Sequence, residues 1–412
     1  MSMNKKFLTL ILLFILVTTP ISCSSGGGSS SSGQGTEAPF GKTFGGSGYD
    51  SGCSVQQTSD GGYILFGYTY SSITGTSDMY LVKTDSTKTI VWEKNFGGTE
   101  NDSGFSVQQT TDGGYILLGE TYSPDTDSND MYLVKTDSTG TTEWEKTFGG
   151  TDTEWGNSVC QTTDGGYILF GTTEYDYNND GSADMYLVKT DSSGTKVWEK
   201  TFGGTGYDSG FSVEQTTDGG YIMLGYTYSY GTGGTDMYLV KTDANGNETW
   251  SKTFGGYGYD EGFSVAQTAD GGYILLGEID SYDAAGGGDM YLVKTDADGN
   301  ETWSKNFGGD NYEWGFSVQQ TTDGGYILLG TVAYYDSVTG SSDSYDMYIV
   351  KADADGNETW SKTFGGSENE CGVSVQQTTD GGYILLGDTF SYGEGSSDMY
   401  LVKTDADGNI AP

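Results

Sequence analysis

The chain has 412 residues, and its 58 acidic side chains face 18 lysines, no arginine and no histidine, for a formal charge of −40. That balance argues against a nucleic-acid partner, because affinity for phosphates comes from Lys and Arg. Without histidine the commonest general base and metal imidazole are gone, and without arginine so is bidentate recognition of phosphate or carboxylate.

Residues 1–22 read as a secretory signal. Lys5 and Lys6 give a basic start, and Phe7 to Val17 is apolar apart from Thr9. That run is too short to span a bilayer. Pro20-Ile21-Ser22 then leads into Cys23. A small residue just before a cysteine resembles the lipobox of bacterial lipoproteins, which implies lipidation of Cys23 and a membrane attachment through that anchor alone. Ser24 to Pro39 is rich in Ser and Gly without hydrophobic periodicity, a flexible tether holding the body roughly 20–24 Å from the membrane. The expected location is the outer side of a bacterial cell envelope.

From Phe40 onward the chain repeats itself. D-G-G-Y begins at Asp60, Asp112, Asp164, Asp218, Asp270, Asp323 and Asp380, and D-M-Y-[LI]-V-K begins at Asp78, Asp130, Asp184, Asp236, Asp289, Asp346 and Asp398. A period near 50 residues marks a repeat architecture. Within one repeat, Phe105 to Thr110 alternates like a strand, Thr111 to Gly114 is a turn, and Tyr115 to Tyr122 is a second strand apolar on both faces. A polar loop leads to a third strand, Asp130 to Thr136. A turn at Asp137 to Gly140 precedes a fourth strand through Trp144 to Phe148. Four-stranded antiparallel units, apolar on both faces and arrayed in series, predict an all-β seven-bladed β-propeller over residues 40–412. Only the segment between the second and third strands varies in length, so variation gathers on one face, where function belongs. The seventh repeat lacks its tryptophan strand, whereas Phe40 to Gly46 aligns with Trp92 to Gly98. The N-terminal segment is therefore expected to close the ring.

Phe202-Gly203-Gly204, Asp208, Asp218 to Tyr221, Gly225 to Ser229, Asp236 to Lys241, Asp243, Gly246 and Trp250 together form a pattern. It resembles the bacterial β-propeller repeat family called SBBP. The resemblance implies a secreted or surface-attached propeller and no common activity.

Four sets of residues are candidates for function. The connection between blades carries an acid in every repeat, with one position between it and the Gly that opens the first strand: Asp50, Asp102, Glu154, Asp208, Asp260, Glu313 and Glu370. These are expected to ring the channel mouth, either capping the preceding Gly-Gly turn or attracting cations. The loop Asp176-Tyr177-Asn178-Asn179-Asp180-Gly181-Ser182-Ala183-Asp184 offers Asp176, Asn178, Asp180, Ser182 and Asp184 at the spacing of a Ca²⁺ loop. Trp155 and Trp314 interrupt the position after the acid in blades three and six, and with the tyrosines of the variable loops they suggest a sugar- or peptide-binding face. Lys83 and its six equivalents, once per blade, are expected to pair with carboxylates as structural residues. Cys53 and Cys371 fall two positions apart in the repeat frame on neighbouring inner strands, where a disulfide could staple blade one to blade seven.

The expected role is a monomeric binding or interaction scaffold for a protein or glycan ligand. A glycan hydrolase or lyase working through paired carboxylates, and a purely structural envelope component, are the alternatives. The enzyme reading needs one blade to stand apart in its acids near the channel, and the repeat pattern shows none.

Overall fold

The computed structural model describes residues 40–411 except 72, 176–181, 281–286 and 337–340. Among them it has 28 strands in seven antiparallel four-stranded sheets, which are the blades of a propeller. Blade one is β2 (Tyr49–Gln57), β3 (Tyr63–Ser71), β4 (Thr76–Thr84) and β5 (Ile90–Phe96). Blade two is β6 (Asp102–Gln109), β7 (Tyr115–Ser123), β8 (Ser128–Thr136) and β9 (Thr142–Phe148), and blade three is β10 (Thr153–Gln161), β11 (Tyr167–Tyr175), β12 (Ser182–Thr190) and β13 (Lys196–Phe202). Blade four is β14 (Asp208–Gln215), β15 (Tyr221–Thr227), β16 (Asp236–Thr242) and β17 (Glu248–Phe254). Blade five is β18 (Asp260–Gln267), β19 (Tyr273–Ile279), β20 (Asp289–Thr295) and β21 (Glu301–Phe307), and blade six is β22 (Tyr312–Gln320), β23 (Tyr326–Asp336), β24 (Ser341–Ala352) and β25 (Glu358–Phe364). Blade seven joins β26 (Glu370–Gln377), β27 (Tyr383–Thr389) and β28 (Asp398–Thr404) to β1 (Gly41–Phe44) from the other end of the chain.

That last pairing is the expected closure. Gly41 to Phe44 run antiparallel to Val402 to Met399, so β28 has no free edge and the ring is sealed by hydrogen bonds between the chain ends.

The core lies between blades. Ile64, Phe66, Met79 and Leu81 of blade one pack against Val107, Tyr115, Leu117 and Val134 of blade two. Successive residues of a strand point to opposite faces. The Y-I-L-L stretch therefore supplies Tyr and Leu to one neighbour and Ile and Leu to the other, which is why it is apolar throughout. Outside this core each repeat tryptophan packs on the next blade's hairpin tyrosine, as Trp92 does on Tyr115 with ring centroids 5.8 Å apart. The glycine that turns into the fourth strand lies against the same ring: a Cβ on Gly140, which has φ +75°, would stand 2.8 Å from Trp92.

Lysines and aspartates fix the uniform face. Lys83 is buried, donating to the carbonyl of Thr84 at 2.8 Å and pairing with Asp60 at 2.9 Å. The same pair recurs in all seven blades, from Lys135–Asp112 to Lys403–Asp380, so the lysines are structural as expected. Around the inner strands, Ser and Gln side chains tie each blade to the next. Ser54 accepts from the amide of Val107 and Gln56 from that of Gln109, and the S-V-Q-Q pattern repeats these ties.

Candidate functional site

The seven acids before the inner strands do not line the channel mouth. Asp50, Asp208, Asp260 and Glu370 are 0% exposed, and Asp102, Glu154 and Glu313 are also buried. Each turns back onto the preceding Gly-Gly. Gly46 donates to Asp50 at 2.7 Å, Gly98 to Asp102 at 2.8 Å, Gly204 to Asp208 at 2.8 Å, Gly256 to Asp260 at 2.6 Å and Gly366 to Glu370 at 2.6 Å. In blades three, four and seven a threonine of the second strand donates to the other oxygen, as Thr173 does for Glu154 at 2.8 Å, Thr227 for Asp208 and Thr389 for Glu370 at 2.7 Å. The turn-capping role holds, and a ligand in the channel does not meet these carboxylates.

The inner strands place different residues in the channel. Each carries a bulge just past its conserved glycine, as between Gly52 and Ser54 or Gly262 and Ser264. A bulge leaves one residue unpaired and re-aims it. Here those residues are Cys53, Phe105, Asn157, Phe211, Phe263, Phe316 and Val373. Phe211, Phe263 and Phe316 of three successive blades meet edge to face, at 5.0 and 5.3 Å between centroids, so blades four to six form an apolar arc at this level, while Asn157 of blade three donates to the Gly210 carbonyl at 2.8 Å. The bulge also answers the cysteine question. Cys53 is a free thiol, so it does not pair with Cys371. Cys53 follows the shared glycine and sits in the bulge, while Cys371 precedes that glycine and is buried in the blade.

One step nearer the variable face lies a ring of cross-strand pairs that differs from blade to blade. In order the pairs are Ser51–Tyr68, Ser103–Glu120, Trp155–Thr172, Ser209–Tyr226, Glu261–Glu278, Trp314–Thr331 and Cys371–Asp388. The second member reaches across the seam to the next blade: Asp388 accepts from Ser51 at 3.0 Å and from the amide of Gly52 at 2.7 Å, and Thr172 bonds Ser209 at 2.8 Å. Asp388 is fully buried, and that burial pushes its carboxyl up to about 7. Burial does the same to Glu120, also to about 7.

Blade five departs from the others, contrary to the sequence expectation. Glu261 and Glu278 are directly opposite on β18 and β19, so two carboxyl groups share one face of the sheet. Both are half-buried. Burial, reinforced by Asp260, pushes Glu261 up to about 7; burial and the charge of Glu261 hold Glu278 well above its ordinary range. The Trp314 indole of blade six lies close enough to favour the charged form of Glu278, while Glu278 Oε2 is buried without a partner. Trp314 stacks on Tyr312 at 6.0 Å and leans on Tyr345 at 6.1 Å. A pair of acids beside a wall of three aromatic rings is the most asymmetric feature of the channel. Trp155, in blade three, is also half-buried but faces no acid pair of this kind. Sequence reasoning found both tryptophans and missed Glu261 with Glu278, although the residue after the second-strand glycine, unlike its neighbours, changes from repeat to repeat.

Of the proposed calcium loop, Asp176, Asn178 and Asp180 lie outside the described residues. Ser182 and Asp184 belong to β12, and Asp184 is turned to the blade seam beside Asp208, where both approach Gly203. Exposed tyrosines do gather on the variable face, among them Tyr70, Tyr175, Tyr228 and Tyr230. Some of them pack loops, since Tyr230 donates to the carbonyl of Gly203 at 2.7 Å. A cleft of about 500 Å³ on the uniform face is lined by Asp270, Lys294, Trp303 and Tyr326, which are structural residues of the repeat.

The class these features define is a closed seven-bladed propeller with a chemically uneven ring of cross-strand pairs toward its variable face. No family profile matches the chain. Among curated proteins it is 29% identical over 140 residues to the regulatory protein FlaEY of Caulobacter vibrioides, a match covering 29% of this chain and 15% of that protein. Among solved structures it is similar to Sqt1 from Chaetomium thermophilum, with a TM-score of 0.50, 14% identity and coverage of 89% of this chain and 84% of that one. It is also similar to the propeller domain of the trilobed protease from Pyrococcus furiosus, with a TM-score of 0.50, 9% identity and coverage of 88% and 97%. That propeller has an open velcro topology, whereas here β1 and β28 are hydrogen-bonded. At such identities these likenesses speak for the fold alone.

Proposed function

We propose that the protein is a lipid-anchored extracytoplasmic scaffold of the SBBP-like kind that binds a glycan at the variable face, in the well between blades five and six. The observation that carries this reading is the Glu261–Glu278 pair beside Trp314, Tyr312 and Tyr345, set in a ring where the other blades carry different residues. Seven equivalent copies of a site would be architecture; the one cross-strand pair of the ring made of two acids is a place for a ligand. Aromatic faces stack on the apolar side of a sugar, and carboxyl groups accept from its hydroxyls. The absence of Arg and His suits a neutral ligand rather than an anionic one. A peptide with aromatic or basic side chains uses the same groups and is the competing ligand. The test is a glycan and peptide array probed with the full chain and with Trp314→Ala. Glycan signals lost in the variant support the reading, and peptide signals alone replace the ligand class.

A second reading has its own observation. Two facing carboxyl groups pushed upward, one able to hold a proton near neutral pH, are what acid–base hydrolysis of a glycosidic bond requires. Release of reducing sugar from an array-selected glycan, abolished by Glu261→Gln, would favour an enzyme over a binder.

A further inference from the structure

The ring closes through strands from opposite ends of the chain, and that closure is thinly held. In blades one to six the ladder between third and fourth strands has six register pairs and a covalent hairpin, as Met79 to Thr84 have on Phe96 to Ile90. In blade seven β28 holds β1 by four pairs, Gly41 to Phe44 on Val402 to Met399, with no hairpin behind them. β1 also follows directly on the Ser/Gly-rich segment that ends at Pro39. A perturbation beside this ladder acts on ring closure before it acts on any other blade.

Three buried acids, Asp50, Asp388 and Asp398, surround the end of that ladder. Asp398 immediately precedes Met399, which pairs with Phe44 at the end of β1. A Cβ on Gly45, just past β1, would stand 2.4 Å from Asp50 Oδ2 and 2.8 Å from Asp398 Oδ1, so the two carboxyl groups flank one point. Asp388 crosses the seam itself, accepting from Ser51 at 3.0 Å and from the Gly52 amide at 2.7 Å. Beside them the Asp50 amide donates to the Ser397 carbonyl at 2.9 Å and the Ser396 amide to the Gly48 carbonyl at 3.0 Å, bonds that break if the two blades part. Glu394 of the loop before β28, Tyr80 of β4 and Cys53 of β2 also lie within reach of the acids' charges, and none of these is a cation. Lys42 of β1 is engaged with the carbonyl of Lys88 at 2.8 Å. Among the described residues no lysine–carboxylate pair includes Asp50, Asp388 or Asp398.

We propose that the seam between blades seven and one is a pH-sensitive clasp, shut while Asp388 and Asp398 carry protons and loosened at β1 once both ionise beside Asp50. Burial pushes Asp388 up to about 7 against the Gly52 amide and Ser51, which favour its charged form, and Asp50 adds to the rise. Burial, then the charge of Asp50, takes Asp398 up to about 8. In an open clasp both carboxyl groups meet water and return toward an ordinary aspartate, near pH 4. The closed form therefore binds more protons than the open one above about pH 4. Its advantage shrinks as pH rises, until both acids have ionised above about pH 8. Carboxylates then face one another across a seam that four register pairs close. Opening releases β1 and gives β28 a free edge where the Ser/Gly-rich segment joins the ring. The clasp is independent of the ligand well at blades five and six.

The test is amide hydrogen exchange of the full chain at about pH 6 and about pH 8.5, each strand scaled to its intrinsic rate at that pH. β1 and β28 should exchange at least about tenfold faster at the higher pH, while β4 and β5 of blade one keep their protection. Asp398→Asn should remove most of that rise. Asp388→Asn serves the same purpose if the first variant does not fold. Equal protection of β1 and β28 at both pH values would overturn the proposal. So would an equal loss in all four strands, which reports the ring as a whole, or a variant that keeps the full parental rise.

Discussion

Asp388→Asn makes the buried acids of the channel ring measurable. Asp388 is 0% exposed, accepts from Ser51 and the Gly52 amide, and titrates at about 7 instead of 3.8 because it is buried. The unfolded chain releases this proton near pH 4 while the folded protein keeps it until about pH 7. Between those values the folded state binds more protons, so stability falls as pH rises, and above both the full deficit is present. Roughly three pH units at about 1.4 kcal/mol each give about 4 kcal/mol. Asparagine is nearly the same shape and keeps an acceptor for Gly52, but it does not titrate. The melting temperature of Asp388→Asn relative to the parent should therefore rise between pH 4 and pH 8. With an unfolding entropy of about 2.1 cal/mol/K per residue, 4 kcal/mol corresponds to about 5 °C. Calorimetry of both proteins across that range, in chelator, measures it. A difference that stays flat with pH, or one that falls toward pH 8, would refute the assignment of Asp388 as a buried, late-titrating acid.

Three further outcomes follow from the same geometry. Lys241→Met breaks bonds to the Thr242 carbonyl and to Asp218, both at 2.9 Å, and should cost about 1–3 kcal/mol at neutral pH in urea melts. Burial pushes Asp218 up, but the Thr216 hydroxyl, the Gly220 amide and Lys241 outweigh it and hold the carboxyl at about 2. The cost should accordingly shrink as the pH falls from 4 toward 2. Phe44→Ala removes the 3%-exposed anchor of the closing strand and should cost about 3–5 kcal/mol, with faster proteolysis at the chain ends than in Phe202→Ala. Cys23→Ala should move the protein into the soluble fraction and end labelling by a palmitate analogue; unchanged membrane association would remove the anchor from the account.

Much of the architecture was legible because the repeat states it seven times. Blade number, strand order and closure by Phe40 to Gly46 all followed from spacing, since a missing tryptophan strand at one end and a spare one at the other have a single geometric solution. Lys83 and its equivalents were readable for the same reason. The acids Asp50 to Glu370 were harder. Sequence placed them on the right face, but only backbone geometry shows them folding back to cap Gly-Gly turns instead of facing the channel. Cys53 was misassigned because a β-bulge is silent in a strand pattern: one inserted residue changes where the side chain points. Glu261 and Glu278 are 17 residues apart, and nothing in composition pairs them until the register of β18 and β19 does.

The central claim is that ligand binding resides at the well between blades five and six. The direct measurement is the dissociation constant of the strongest array-selected glycan for the full chain, Trp314→Ala and a uniform-face control, Asp296→Ser. The account predicts at least about a tenfold loss of affinity, or about 1.4 kcal/mol, for Trp314→Ala and none for the control. Equal affinities in all three proteins, or no glycan bound by the parent, would contradict it.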